Sequence, residues 1–220
     1  MEQDYILKVE HVSKQFPGVK ALDDVSIGVR RGTVHALVGE NGAGKSTLIK
    51  ILAGIYQSYE GFAYIDGKKV NFRKPSDAQA AGISVVHQEL KLAESLSVSE
   101  NIFLGAPVQR IKGRLYWERM TRQAKEQTDQ LRVKLDVTQP VQELTIAKKQ
   151  IVEICKAIVH QCKVLIMDEP SATLTKNELD VLFETIRRLR SQGVTIIYIS
   201  HINEDIFKMS DDHTIMRDVK

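Results

Sequence analysis

Apolar and polar positions alternate along the first thirty residues. Tyr5-Ile6-Leu7-Lys8-Val9-Glu10-His11-Val12 and Val25-Ser26-Ile27-Gly28-Val29-Arg30 predict two antiparallel strands. An Arg31-Gly32 turn then leads into Val34-His35-Ala36-Leu37-Val38, a short apolar run expected to be a buried strand. Thr47 to Leu52 has helical spacing. Phe62-Ala63-Tyr64-Ile65, Asp66-Gly67 and Lys68-Lys69-Val70 predict a hairpin with a D-G turn. Ile83-Ser84-Val85-Val86 predicts another buried strand. From Leu90 to His160 the residues are mostly helix formers with few strand signals. Within that stretch Tyr116 to Leu135 predicts a charged helix with a solvated polar face, broken by Gln139-Pro140. Strand signals return at Val164-Leu165-Ile166-Met167 and Thr195-Ile196-Ile197-Tyr198-Ile199, with an amphipathic helix from Leu179 to Arg190 between them, ended by Gly193. Ile215 to Lys220 looks like a strand entering a hairpin.

Strands alternating with helices argue for an α/β fold around a parallel sheet. The antiparallel signals add an N-terminal β-subdomain. The expected division is an α/β core at 1–89 and 161–220 with a helical subdomain at 90–160 inserted in it.

Composition narrows the class without naming it. The 220 residues are 43% hydrophobic and 27% charged, ordinary for a globular domain. A net charge of +3 is too small to argue for nucleic acid. No run of about 18 apolar residues is present, so no membrane-spanning helix is expected. Met1-Glu2-Gln3-Asp4 is acidic where a secretory signal needs a basic segment. Cys155 and Cys162, on one helix face, would have Cα atoms about 10 Å apart, too far for a disulfide. Reduced buried thiols of a cytosolic protein are expected.

The chemistry is carried by Gly39-Glu40-Asn41-Gly42-Ala43-Gly44-Lys45-Ser46-Thr47, a G-x-x-x-x-G-K-[ST] phosphate-binding loop between a strand and a helix. Glycines let backbone N–H groups turn inward around phosphate oxygens. The helix N-terminus behind them favours anions. Lys45 is placed to reach the β- and γ-phosphates and the Ser46 hydroxyl to hold Mg²⁺. The plain alternative is a Gly-rich turn with no ligand. Three further strand ends point the same way. Asp168 and Glu169 close an apolar strand, the first suited to a metal and the second to orienting or deprotonating water. His201 follows the last apolar strand, where it can hydrogen-bond a γ-phosphate. Gln88 follows Val85-Val86-His87 and offers a carbonyl to Mg²⁺ or water. Alone, each has an ordinary surface explanation; strand ends on one sheet edge converge on a ligand crevice. The other histidines, His11, His35, His87, His160 and His213, are read as structural.

In this order and spacing the motifs resemble an ATP-binding cassette (ABC) ATPase, nearly end to end. Phe16-Pro17-Gly18-Val19-Lys20-Ala21-Leu22, Val86-His87-Gln88-Glu89-Leu90 and Tyr198-Ile199-Ser200-His201 resemble the N-terminal cassettes of monosaccharide importers for ribose, galactose or xylose. The resemblance implies ATP and Mg²⁺ as cofactors, Phe16 stacked on adenine, and Asn41, Gly42, Ala43, Gly44, Lys45, Ser46 and Thr47 around the phosphates. It implies Ser46, Gln88 and Asp168 at the metal, and Glu169, His201, Gln88 and Lys45 in catalysis. It implies a tandem-cassette parent chain, a second cassette as partner, permease subunits, an external sugar-binding protein, no nucleic acid, and a place on the cytoplasmic membrane face.

The chain departs from the family at Leu144-Thr145-Ile146-Ala147-Lys148-Lys149, where L-S-G-G-Q is usual. There Thr145 and Ala147 would serve the partner's ATP. Thr145 keeps a hydroxyl, whereas Ala147 adds a Cβ near phosphate. Lys148 and Lys149 oppose the helix macrodipole, and the default for both is a solvated lysine. Thr175 stands where an aspartate is common. Two other classes fit parts of the pattern: a regulatory cassette with little hydrolysis, and a cassette acting on nucleic acid or ribosomes.

Overall fold

A computed structural model describes residues 4–106, 110–111, 114–115, 117–171, 174–200, 207 and 209–217. Strands β1 (Tyr5–Phe16) and β2 (Val19–Arg30) form one long hairpin, with Gly18 at φ 80° in its turn. Both extend well beyond the two alternating segments expected. Their register shifts several times between Tyr5 and Gln15, and each shift breaks the two-residue period that sequence reading relies on. Strand β1 also pairs with β4 (Glu60–Ile65), and β4 with β5 (Lys68–Val70), giving the antiparallel order β2-β1-β4-β5. The expected D-G turn is present: Asp66 and Gly67 have φ 50° and 71°, positive at both central positions as a tight hairpin twist requires.

The second sheet is parallel. Its strands are β3 (Val34–Gly39), β6 (Ile83–Val86), β9 (Val164–Asp168), β10 (Thr195–Ser200) and β11 (Asp212–Met216), in the order β11-β3-β10-β9-β6. Every residue of β3 and β10 is buried. Both faces are covered, which is why these strands read as unbroken apolar runs. Val34, Ala36, Met167 and Tyr198 face one core, and Leu37, Ile166, Ile197 and Ile199 face the other. The second core is shared with the antiparallel sheet through Leu7, Val9 and Val29 and with α1 (Lys45–Leu52). Strand β11 lies beside β3, in place of the expected strand starting at Ile215; Asp218 to Lys220 lie outside the described residues. Helix α2 (Pro75–Ala80) precedes β6.

Between residues 90 and 160 lie α3 (Val98–Phe103), a short hairpin of β7 (Arg110–Ile111) and β8 (Arg114–Leu115), α4 (Trp117–Gln130), a single 3-10 turn at Val141–Glu143, and α5 (Ile146–Val159). Helix α4 stops short of the expected Leu135. Arg132 adopts φ 55°, and the N–H groups of Arg132 and Val133 donate to Asp129 O and Thr128 O, the paired bonds that close a helix. Beyond it Leu131, Val133, Leu135 and Val137 are buried and the residues between are exposed, the pattern of extended chain rather than helix. Asn101 on α3 is 0% exposed. Its amide accepts from Ala93 N–H and donates to the carbonyls of Ala93, Leu96 and Ser97, tying down the loop between β6 and α3. Helix α6 (Lys176–Ser191) begins at Thr175, whose hydroxyl and N–H form a capping box with Glu178.

Candidate functional site

Strand β3 ends at Gly39 and α1 starts at Lys45, so the phosphate loop joins a buried strand to a helix, as expected. Gly44 takes φ 90°, and a Cβ there would meet Ala21 O at 2.5 Å. Only glycine satisfies both demands. No side chain caps the start of α1 and its first turn carries no acid. Its leading N–H groups therefore stay available to an anionic ligand. Lys45 is 6% exposed, and its ammonium donates to Gly39 O at 2.5 Å and Glu40 O at 2.8 Å. Ala43 is buried, Gly44 and Thr47 half-buried, and Asn41, Gly42 and Ser46 exposed.

The sheet register brings the other strand ends to this edge. Val38 pairs with Ser200, Ile199 with Asp168, and Val86 with Met167. The C-terminal ends of β3, β10, β9 and β6 therefore lie in a row. Asp168 and Glu169 stand at the end of β9, and exposed Gln88 lies just past β6. His201 follows Ser200 but falls outside the described residues. Burial raises the Asp168 carboxyl above its ordinary value, and neighbouring Glu169 adds to this; Lys45 and Lys50 oppose it. Glu169 has φ 48°, a left-handed backbone rare outside glycine, and its N–H donates to Ile199 O at 3.0 Å. A hydroxyl, a carboxylate and an amide carbonyl are hard oxygen donors of the kind Mg²⁺ takes. A divalent cation would also relieve the cost of holding Asp168 ionised where it is.

The tip of the β1–β2 hairpin approaches the loop, because Ala21 and Leu22 pack on Gly44. Phe16, at that tip, is half-buried and meets the Tyr56 ring edge-on, with centroids 5.3 Å apart at 68°. Lys14 lies over both rings, 5.1 Å from Phe16 and 5.8 Å from Tyr56. Sequence reading missed Tyr56 and Lys14; neither belongs to a motif, and they meet Phe16 only through the fold.

Thr145 caps α5, accepting weakly from Lys148 N–H at 3.5 Å. Glu178 lies beside it, its carboxyl held below the ordinary range by the Thr175 N–H and hydroxyl and, more weakly, by Thr145. Ala147 sits in the first turn of α5. Lys148 is exposed, but Lys149 is not simply solvated: it pairs with Glu94 at 2.8 Å across the loop before α3. The cysteine expectation also changes. Helix α5 ends at Val159, so Cys162 is off it. Both thiols are free, and burial pushes them up to about 12 for Cys155 and about 11 for Cys162, which leaves them unreactive.

A groove of about 340 Å³ opens beside the Gln88 loop, between α2 and α5. His87, Lys91, Lys156 and His160 bring cationic or titratable groups to it, around Glu153. Burial raises the Glu153 carboxyl above its ordinary value.

A phosphate loop at the C-terminal edge of a parallel sheet, with an acid pair two strands away, defines a phosphate-loop nucleotide-binding fold of the α/β class. A family model described as ABC transporter matches residues 22–172, and the chain belongs to that family. It is 46% identical over 215 residues to a putative ribose/galactose/methyl galactoside import ATP-binding protein of Hahella chejuensis, covering 98% of this chain and 42% of that protein. It is 44% identical over 218 residues to the xylose import ATP-binding protein XylG of Geobacillus kaustophilus, covering 98% of this chain and 43% of that protein. It is 47% identical over 223 residues to the galactose/methyl galactoside import ATP-binding protein MglA of Clostridium tetani, covering 100% of this chain and 44% of that protein. The chain thus spans less than half the length of these relatives. Among solved structures, a nucleotide-free ATP-binding cassette from an ABC transporter matches with a TM-score of 0.85 at 28% identity, over 96% of this chain and 87% of that one. The cbiO1 protein of Clostridium perfringens, part of the cbiONQ ABC transporter complex, matches with a TM-score of 0.84 at 26% identity, over 99% of this chain and 88% of that one.

Proposed function

We propose that this chain is the N-terminal, ATP-hydrolysing cassette of a longer protein that powers monosaccharide import. The observation that carries the reading is the shared sheet edge: an uncapped phosphate loop and a buried lysine follow β3, and the Asp168-Glu169 turn follows β9 two strands along the same edge. In this reading loop N–H groups and Lys45 bind the triphosphate, and Phe16 stacks on the adenine. Ser46, Asp168 and Gln88 would hold Mg²⁺, which would neutralise charge on the phosphates. Glu169 orients water and takes its proton for in-line attack on the γ-phosphorus. Lys45, the loop N–H groups and His201 stabilise the charge that develops on the transferred phosphoryl. Residues 90–160 act as a helical subdomain, and Thr145 and Ala147 serve the ATP of a second cassette.

The groove beside the Gln88 loop suits the permease subunits, which a sugar-binding protein outside the membrane would supply with cargo. Among the described residues no helix is long and apolar enough to cross a membrane. In this reading the chain sits peripherally on the cytoplasmic face of the membrane, and nucleic acid is no part of it. Glu169→Gln tests the central step. In the full-length protein with its membrane partners, ATP binding should persist while steady-state turnover falls to a trace. Turnover at the wild-type rate would refute the assignment of the base.

The start of α5 favours a second reading, a regulatory cassette. It is capped by its own Thr145 and carries Ala147 at a position where glycine is usual in the family, with Lys148 and Lys149 following. ATP binding with no Glu169-dependent turnover would select it.

A further inference from the structure

Glu169 holds a left-handed backbone, φ 48°, between Asp168 and Pro170. A side chain with a Cβ keeps such a conformation only where its surroundings enforce it. Two hydrogen bonds bracket the residue. On the sheet side its own N–H donates to Ile199 O at 3.0 Å. On the helical side the next carbonyl, that of buried Pro170, accepts from Gln150 Nε2 at 2.5 Å. Gln150 lies in the second turn of α5 and is 5% exposed. Among the described residues its amide oxygen has no hydrogen-bond partner. Turning the amide over would set that oxygen against the Pro170 oxygen, so the orientation follows from the contact. A buried polar side chain that leaves half of its capacity unused is poorly explained as a stabilising feature.

We infer that Gln150 is a positioning residue for Glu169: it clamps the strained turn from the helical side and so aims the carboxylate. It touches neither nucleotide nor water. It also ties the helix that begins at Thr145 to the turn that carries the general base. This rests on the proposed role of Glu169.

The test is Gln150→Met in the full-length protein with its membrane partners. Methionine keeps the length and volume and removes both the donor and the unpartnered oxygen. Thermal stability and ATP affinity should stay close to wild type while turnover falls on the order of tenfold or more, the scale of a misplaced reacting group. Glu169→Gln supplies the second arm. Once the carboxylate is gone, adding Gln150→Met should lower the residual turnover no further. Gln150→Leu, which likewise removes both polar atoms without adding a charge, should show the same split and serves if the methionine variant folds poorly. Unchanged turnover in both variants overturns the inference. So does a loss of the same fold in the Glu169→Gln background, or one matched by lost ATP affinity. A wild type without Glu169-dependent turnover overturns the hydrolytic reading and this inference together. Glu169-dependent turnover indifferent to Gln150 overturns the inference alone.

Discussion

Helices α1 and α5 both begin where an ABC cassette is expected to meet a phosphate, and they begin in opposite ways. The start of α1 has no capping side chain, is led by a glycine at φ 90°, and keeps its lysine buried and turned back on the loop. The start of α5 is capped by Thr145, exposes Lys148 and pairs Lys149 with Glu94. One terminus leaves its N–H groups open within its own chain. The other satisfies part of its needs itself and surrounds the rest with cations. A helix N-terminus is thus a general anion site only where the local sequence declines to cap it.

The largest expected effect comes from closing the open terminus. Gly44→Ala puts a Cβ 2.5 Å from Ala21 O on a backbone that disfavours it. ATP affinity should fall by more than about a hundredfold and the melting temperature by several degrees, given roughly 1–3 kcal/mol of backbone strain alone. Equilibrium nucleotide binding and a thermal melt check both. Affinity within a few-fold of wild type would mean that the loop tolerates a Cβ and that the contrast between the two helices is overstated.

A smaller effect concerns the charge that α1 faces. Burial and Glu169 raise the Asp168 carboxyl, against Lys45 and Lys50. For a group whose folded value is raised, the stabilising contribution is full at acid pH, below the unfolded value, and is lost as pH rises through the folded value. Asp168→Asn should therefore raise the melting temperature of the nucleotide-free protein at neutral pH. That gain should shrink as the pH is lowered. The same variant should lose most of the Mg²⁺ dependence of ATP binding. A melting temperature lowered at every pH would contradict the account of a burial penalty. In the wild type, Mg²⁺ affinity should weaken as acid reprotonates Asp168.

The smallest effect lies at the capped terminus. Thr145→Val removes a long, weak cap, so its cost should sit near the low end, about 0.5 kcal/mol, or roughly 1–2 °C in a melt. A shift several times larger would show that α5 depends on its cap far more than a 3.5 Å bond suggests.

Much of this contrast was legible in the amino-acid order. The phosphate loop, the Asp66-Gly67 turn and the apolar strands β3, β6, β9 and β10 announce themselves because each rests on local chemistry: a φ that favours glycine, or a continuous apolar run in a parallel sheet. The relation of Phe16 to Tyr56 and of Gln150 to Pro170 was not legible. Both depend on which elements the fold brings together, and neither leaves a period or a spacing to read. Arg132 misled for a different reason. Helices commonly close on glycine, whereas here arginine takes the left-handed position, and the extended segment behind it looked like more helix. Lys149 looked like a solvated lysine because its partner, Glu94, stands on the far side of α3 and α4 in sequence.

The two carbonyls that hold the Lys45 ammonium have a consequence for the thermodynamics of exchange. A buried cation without partners would pull in any available anion and release it slowly. This one spends two of its three N–H groups on its own main chain and keeps the third for an incoming phosphate oxygen. A charge-assisted bond of that kind is worth roughly 1.5–3 kcal/mol, so the ammonium contributes one new bond on top of two that already hold it in place. The main chain thus sets where the ammonium points before any anion arrives, and it moderates how strongly the charge can retain one.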